Sequence, residues 1–110
     1  MANTKRAIIY TRGEDDIEQK LLCYFYASDN NIDVLFDTND MDEVVDCEEC
    51  NMLLVAKPSR ISRNSFEYHS TIKVLKARGI EVVFTATEKC AERFVDFMMR
   101  DLLKREKQRQ

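Results

Sequence analysis

The sequence predicts a three-layer α/β domain, in which a mainly parallel sheet of four or five strands is flanked by helices. Short apolar runs alternate with longer amphipathic stretches along the chain, as in strand–helix–strand units. One run, residues 51–56, is continuously apolar, which is typical of a central parallel strand buried on both faces. The length of 110 residues suits a single domain.

Composition excludes several classes of protein. Hydrophobic residues make up 45% of the chain and charged residues 34%, with two Gly and one Pro, so it is neither disordered nor collagen-like. No apolar run approaches the roughly 20 residues that a bilayer span requires. The start of the chain does not resemble a signal peptide either, so we expect a cytoplasmic protein without membrane contact.

The first half of the chain predicts two strands, at residues 7–10 and 32–36, with a helix between them that begins near Asp15. The apolar positions of this helix are expected to face the core, and they are Ile17, Leu21, Tyr24, Phe25 and Ser28. Cys23 is expected to pack on the same face. Residues 37–50 are acidic and predict one short helix.

In the second half, the central strand at 51–56 is broken by Pro58, and a helix follows that Gly79 ends. This helix is expected to be capped by Ser62 or Ser65. Residues 80–84 predict the next strand. The last helix, at 91–103, has more apolar positions than one core-facing stripe needs: Ala91, Phe94, Val95, Met98, Met99, Leu102 and Leu103.

Four cysteines, Cys23, Cys47, Cys50 and Cys90, are expected to be free thiols in a reducing compartment. The spacing of Cys47 and Cys50 is that of half a zinc site. A closed zinc site needs four ligands, and the chain has no second cysteine pair and a single histidine, His69. We therefore predict no metal and no cofactor.

Charge is unevenly distributed along the chain. Residues 33–49 contain eight acidic and no basic residues, whereas residues 57–78 contain six basic residues. Three of these, Lys57, Arg60 and Arg63, fall where the central strand ends and the next helix begins. Open α/β sheets bind ligands at the carboxyl ends of their strands, and arginine beside a helix N-terminus suits a phosphate.

Four short motifs follow one another in order. They are Tyr10-Thr-Arg12 with Gln19, Phe36-Asp37, Leu53-Leu-Val-Ala-Lys-Pro-Ser-Arg-Ile-Ser-Arg-Asn64, and Gly79-Ile-Glu-Val-Val-Phe84. Together they resemble the catalytic domain of the serine recombinases, the family of resolvases, invertases and large phage integrases. The resemblance implies a resolvase-like fold, here as one domain over 1–110. The polar tail at 103–110 is expected to fray, and, unlike the family, no separate DNA-binding domain is expected. The resemblance also implies a role in DNA recombination.

The sequence departs from this family at two positions. A serine four residues after the tyrosine attacks the DNA phosphodiester in the family, and Glu14 stands there in this chain. Residues 12–27 contain no serine, so a shifted register does not restore it. Ser59 occupies the position of an aspartate that precedes the paired arginines. These two departures therefore predict that the chain is a catalytically inactive relative of the family, with no catalytic residue.

The arginines of the family's site remain. Arg12, Arg60 and Arg63, with Lys57 beside them, are the candidate phosphate- or DNA-binding residues. The alternative is that these arginines are scaffold residues, paired with counter-ions among Glu14, Asp15 and Asp37.

The resemblance also points to the last helix as the element that pairs subunits. We expect a homodimer, or pairing with a related recombinase, through Met98, Met99, Leu102 and Leu103.

A different hypothesis is a protein-interaction module without DNA contact, which works through the acidic segment 33–49 or helix 91–103. A live phosphoryl-transfer enzyme with another nucleophile is the third and least favoured hypothesis.

Overall fold

The computed structural model describes residues 5–13, 16–87 and 99–100. Strands and helices alternate from the first strand to the last. In chain order they are β1 (Arg6–Tyr10), α1 (Asp16–Asp29), β2 (Asp33–Thr38), α2 (Met41–Asp46), β3 (Met52–Val55), a 3-10 turn (Pro58–Arg60), α3 (Ser65–Ala77) and β4 (Glu81–Phe84). The strands predicted from the sequence are all present, with ends that differ by one or two residues.

The described strands form one parallel sheet in the order β2-β1-β3-β4. The α/β fold predicted from the sequence is therefore confirmed, with four parallel strands in the described part of the chain. β1 and β3 lie in the centre, and Tyr10 pairs with Val55 where both strands end. The loops that follow these two strands are consequently neighbours, although they are far apart in the sequence.

Helices cover both faces of the sheet. On one face, Ile8, Leu53 and Val55 form a buried cluster with Val44 of α2 and Leu75 of α3. On the other face, a second cluster unites strand residues with the buried side chains of α1, and its members are Ala7, Ile9, Cys23, Ala27, Ile32, Met52 and Leu54. Because strand residues alternate between the faces, β1 and β3 are buried on both sides, as their uninterrupted apolar sequences predict.

The face of α1 that packs on the sheet is not the one predicted. Gln19, Cys23 and Ala27 are buried, whereas Ile17 is 70% exposed and Leu21 and Tyr24 are also exposed. The buried residues are spaced four apart, so they form one stripe, and two of them are small. Small side chains bring a helix close to a sheet. Cys23 packs as expected, and its thiol lies 3.3 Å from the Thr85 hydroxyl.

The exposed side of α1 is joined to β2 by polar contacts. The Tyr24 hydroxyl donates a 2.6 Å hydrogen bond to Asp37, and the Lys20 ammonium lies 3.4 Å from the same carboxylate. The hydrogen bond from Tyr24, together with Lys20, lowers the pKa of Asp37, and the same bond raises the pKa of Tyr24 to about 12.

Replacing Tyr24 with phenylalanine is expected to lower the free energy of unfolding by about 0.5–1 kcal/mol near neutral pH, since the bond is partly exposed. The raised phenol pKa means that this contribution is present below pH 10 and is lost as the pH rises towards 12. The lowered carboxyl pKa means that it is present above pH 3.8 and is lost as the pH falls through the pKa of folded Asp37. Urea unfolding across pH, in a double-mutant cycle with Asp37→Asn, measures this. A coupling energy that does not vary with pH would contradict it.

The ends of α3 are fixed by two residues. The side chain of Asn64 accepts a hydrogen bond from the Glu67 amide and caps the first turn. The prediction that Ser62 or Ser65 is the cap is therefore wrong, because Ser65 is already inside the helix and Ser62 precedes the cap. At the other end Gly79 has φ 76°, a left-handed conformation that glycine adopts without strain, and it follows the helix as predicted.

The described cysteines are free thiols. Cys23 and Cys50 are buried, and Cys47 is half-buried at the end of α2. Burial, with Cys47 nearby, raises the pKa of Cys50 to about 11, so this thiol is unreactive at neutral pH. Cys90 lies outside the described residues. Within the described ranges, no cluster of His, Cys, Asp and Glu is arranged to hold a metal ion, and no helix could cross a membrane.

Most of the predicted helix 91–103 and the predicted tail lie outside the described residues. Met98, Leu102 and Leu103 are among the residues concerned. Residues 99–100 are helical, and the side chain of Met99 is 54% exposed. The prediction of an interface at this helix therefore stays a prediction.

Candidate functional site

A cavity of about 440 Å³ lies beside the carboxyl ends of β1 and β3. Its walls come from the loop after β1, from the 3-10 turn after β3 and from the start of α3. The lining residues are Arg12, Gly13, Ser59, Arg60, Ser62, Arg63, Asn64 and Glu67. The cavity thus occupies the place where parallel α/β sheets bind their ligands.

The loop between β1 and α1 is held in place by Gln19. This side chain is 97% buried, and its amide accepts a hydrogen bond from the Arg12 amide (3.1 Å) and donates one to the Arg12 carbonyl (2.8 Å). Gly13 follows with φ 101°, a backbone angle that other residues rarely adopt. The backbone of Arg12 is therefore fixed from one side by α1 while its side chain reaches the cavity.

The two arginine-bearing segments are joined to each other. The Arg12 guanidinium donates to the carbonyl of Ile61 at 3.3 Å, and the Arg60 guanidinium donates to the carbonyl of Arg12 at 3.3 Å. These reciprocal bonds link residues 48 or 49 positions apart in the sequence. A guanidinium has five N–H donors, and each of these two bonds engages one of them.

The start of α3 contributes a positive charge from Arg63, a negative charge from Glu67 and the helix cap Asn64. Ser62 accepts a hydrogen bond from the Asn64 amide and donates one to the Glu67 carboxylate, each at 3.0 Å. Arg63, between them, is exposed and has no ion-pair or hydrogen-bond partner for its side chain in the described part of the chain. The carboxylate of Glu67 is thereby directed to a hydroxyl, and Arg63 is left facing solvent.

The structure brings together the predicted residues Arg12, Arg60 and Arg63, and Ser59 lines the same cavity. Lys57 is exposed and is not among the lining residues. Glu14 and Asp15 lie outside the described residues. Asp37 is paired with Lys20 and Tyr24 on the α1 face, so it is not the counter-ion of the arginines that the sequence suggested.

The charges of the cavity favour an anion. The lining residues include three arginines and one acidic residue, Glu67. Guanidinium groups bind phosphate oxygens by charge-assisted hydrogen bonds, often two at a time. The lining holds no histidine or cysteine, so metal ligation is not what this chemistry favours.

Sequence reasoning did not assign four of the lining residues to the site, namely Gly13, Ser62, Asn64 and Glu67, and it missed the role of Gln19. Asn64 and Glu67 have the spacing of a helix capping box, and this signal was available in the sequence. Gln19 belongs to the first recombinase-like motif, but its part in holding the Arg12 backbone depends on a contact between a loop and a helix that spacing does not reveal.

Comparison with known families decides the relationship of the chain. The model of the resolvase N-terminal domain matches residues 25–107, about three-quarters of the sequence. This chain belongs to the resolvase N-terminal domain family. The matched residues include Arg60 and Arg63 but not Arg12. The contacts of Arg12 with Ile61 and Gln19 are therefore observed independently of the resolvase assignment.

Solved structures with a similar fold include the N-terminal catalytic domain of TP901-1 integrase, with 18% identity, a TM-score of 0.68 and coverage of 93% of this chain and 98% of that one. A resolvase family site-specific recombinase from Streptococcus pneumoniae has 14% identity and a TM-score of 0.65, with coverage of 96% of this chain and 94% of that one. The C-terminal catalytic domain of ISC1926 TnpA, an IS607-like serine recombinase, has 18% identity and a TM-score of 0.60, with coverage of 84% of this chain and 79% of that one. These likenesses show that the resolvase-type domain has the recombinase fold.

No curated protein sequence matches this resolvase-type domain.

Proposed function

We propose that this resolvase-type domain acts in DNA recombination or its regulation, that it binds DNA phosphate in the arginine cavity, and that it does not cleave DNA. The observation that carries the proposal is the convergence of Arg12, Arg60 and Arg63 on one cavity at the carboxyl ends of the central strands. A phosphodiester is the anion that a recombinase-type domain meets, and fixed guanidinium groups stabilise its charge.

Similar folds in proteins that are catalytic domains support the first part of the proposal. The structures named above are described as catalytic domains of an integrase and of a serine recombinase, and as a site-specific recombinase. Arg60 and Arg63 of the cavity lie in residues 53–64, the segment that resembles the arginine motif of the serine recombinases.

The proposed inactivity follows from the chemistry at two positions. Glu14 stands four residues after Tyr10, where the family has its nucleophilic serine. A carboxylate would repel the phosphate, and attack by it would form a labile acyl phosphate in place of a phosphoserine. Ser59 lines the cavity in place of the family's aspartate and cannot supply that residue's charge.

Incubation with supercoiled DNA is expected to yield no covalent protein–DNA adduct, because no hydroxyl stands at position 14. Glu14→Ser alone is expected to remain inactive, since Ser59 still replaces the aspartate. Denaturing electrophoresis of labelled DNA, with an active serine recombinase assayed in parallel, measures both. An adduct mapped to any serine of the wild-type chain would disprove the inactivity.

We also propose a dimer through the C-terminal helix, which the exposure of Met99 supports. Sedimentation at high micromolar concentration is expected to show a dimer for the wild type and a monomer for Met99→Lys combined with Leu103→Lys, because two charges are introduced into an apolar contact. Lys104→Glu is the control for a charge change beside this stripe. A monomeric wild type would refute the interface.

A protein-interaction module is the second candidate function, and the exposed stripe of Ile17, Leu21 and Tyr24 on α1 favours it. Apolar residues one and two helical turns apart form a continuous strip that a partner could cover. The two candidates differ in how they respond to salt. Phosphate contacts make the affinity for DNA fall steeply with salt concentration, whereas an apolar protein contact changes little.

A further inference from the structure

Phe66 is the most exposed of the large hydrophobic residues in the described part of the chain, at 83% of its surface. It is the second residue of α3, and the cavity-lining residues Asn64 and Glu67 lie two positions before it and one position after it. An exposed phenylalanine side chain forgoes about 1.5–3 kcal/mol of favourable free energy that burial would give.

The face of α3 that carries Phe66 is aromatic and basic. Phe66, His69 and Lys73 are spaced i, i+3 and i+7, so they lie on one side of the helix, and all three are exposed. The ring of His69 meets the ring of Tyr68 edge-on, with centroids 5.4 Å apart, which orients the imidazole. The face begins next to Arg63 and therefore continues from the cavity.

The acidic residue of α3 does not interrupt this face. Glu67 is the acidic residue within Ser65–Ala77, and its carboxylate is bonded to Ser62 on the cavity side. Lys73 gives the stripe a positive charge, and Arg63 lies just before the helix begins. A basic surface with an exposed aromatic ring beside a phosphate site has the composition of a surface that binds single-stranded nucleic acid, where bases stack on rings and cations follow the backbone.

We propose that the exposed face of α3 binds a single-stranded segment of nucleic acid, with one phosphate in the arginine cavity and the adjacent base stacked on Phe66. Lys73, about 10 Å along the helix, contacts the backbone further on. A base inside a duplex is already covered on both faces by its neighbours, so Phe66 selects for unpaired bases. The inference rests on the proposed phosphate site.

The chain has no tryptophan, so Phe66→Trp places a single tryptophan, which can be excited selectively, at the stacking position. Its fluorescence is expected to be quenched when a short oligothymidylate is added. An abasic oligomer of the same length should leave it unchanged. Ile17→Trp, on the opposite face of the sheet and similarly exposed, is the matched control and should not respond to either oligomer.

Affinity gives a second readout. Phe66→Ala is expected to weaken binding of oligothymidylate about tenfold, which corresponds to about 1.4 kcal/mol of stacking. Its affinity for the abasic oligomer should stay that of the wild type, and Phe66→Tyr should restore oligothymidylate binding. An oligouridylate measured alongside distinguishes RNA from DNA as the source of the strand.

The two proposals fail differently. If oligothymidylate and the abasic oligomer bind equally, or if duplex binds as tightly as single strand and Phe66→Trp is not quenched, the stacking surface is refuted while the phosphate site stands. If neither oligomer binds, or if binding is insensitive to Arg60→Gln, the phosphate site itself is refuted, and the stacking surface with it.

Discussion

Replacing both Arg60 and Arg63 with glutamine is expected to weaken binding to a short DNA duplex about 100-fold at low salt. The two side chains reach the cavity from the same short segment, and each offers a phosphate charge-assisted hydrogen bonds worth about 1.5–3 kcal/mol. The slope of log affinity against log salt concentration should become shallower by about one for each phosphate contact that is lost.

Fluorescence anisotropy with labelled duplex over a range of salt concentrations measures both quantities. The double variant Lys76→Gln with Arg78→Gln, at the opposite end of α3, removes the same two charges from exposed positions and is the control. Its affinity should remain close to that of the wild type. Equal losses for this control and for the variant of Arg60 and Arg63 would mean that net charge, and not the cavity, determines binding.

Ile9→Ala is expected to lower the free energy of unfolding by about 3–4 kcal/mol, whereas Ile17→Ala should change it by less than about 0.5 kcal/mol. The two substitutions remove the same atoms. Ile9 lies in β1, and its side chain is fully buried in the cluster between the sheet and α1, so its truncation leaves a cavity. Ile17 is exposed on α1, and alanine is the better helix former.

Chemical denaturation followed by far-UV circular dichroism tests this pair of variants. The midpoint of Ile9→Ala should fall sharply with an unchanged slope, which distinguishes lost stability from an altered unfolded state. Cys23→Ala, on the buried stripe of α1, should lie between the two. A large destabilisation by Ile17→Ala would show that the face predicted from periodicity is the buried one after all.

The sheet could be predicted because its signal is local. An uninterrupted apolar run such as residues 52–56 has few alternatives to a doubly buried strand, and Pro58 marks where it must end. The orientation of α1 could not be predicted from apolar spacing. Its buried stripe includes Gln19, whose burial is stabilised by hydrogen bonds to a loop that forms only in the folded chain.

The site divides in the same way. The meeting of Arg12 with Arg60 follows from parallel topology, because loops after adjacent parallel strands are neighbours. The partner of Asp37 does not follow from it, since β2 lies at the sheet edge and its carboxylate faces α1. Nor does the sequence indicate that Arg12 and Arg60 bind each other's backbone, because such contacts depend on side-chain conformations at the two loops.

The reciprocal bonds between the Arg12 and Ile61 segments have a thermodynamic consequence. The cavity is assembled from two stretches that are separate in the unfolded chain, so an anion that occupies it binds the native state alone. Ligand binding and folding then share one equilibrium. An anion at a concentration of 100 times its Kd would add about 2.7 kcal/mol to the stability of the domain. Its presence would therefore be visible as a higher melting temperature, even for a protein that performs no reaction on it.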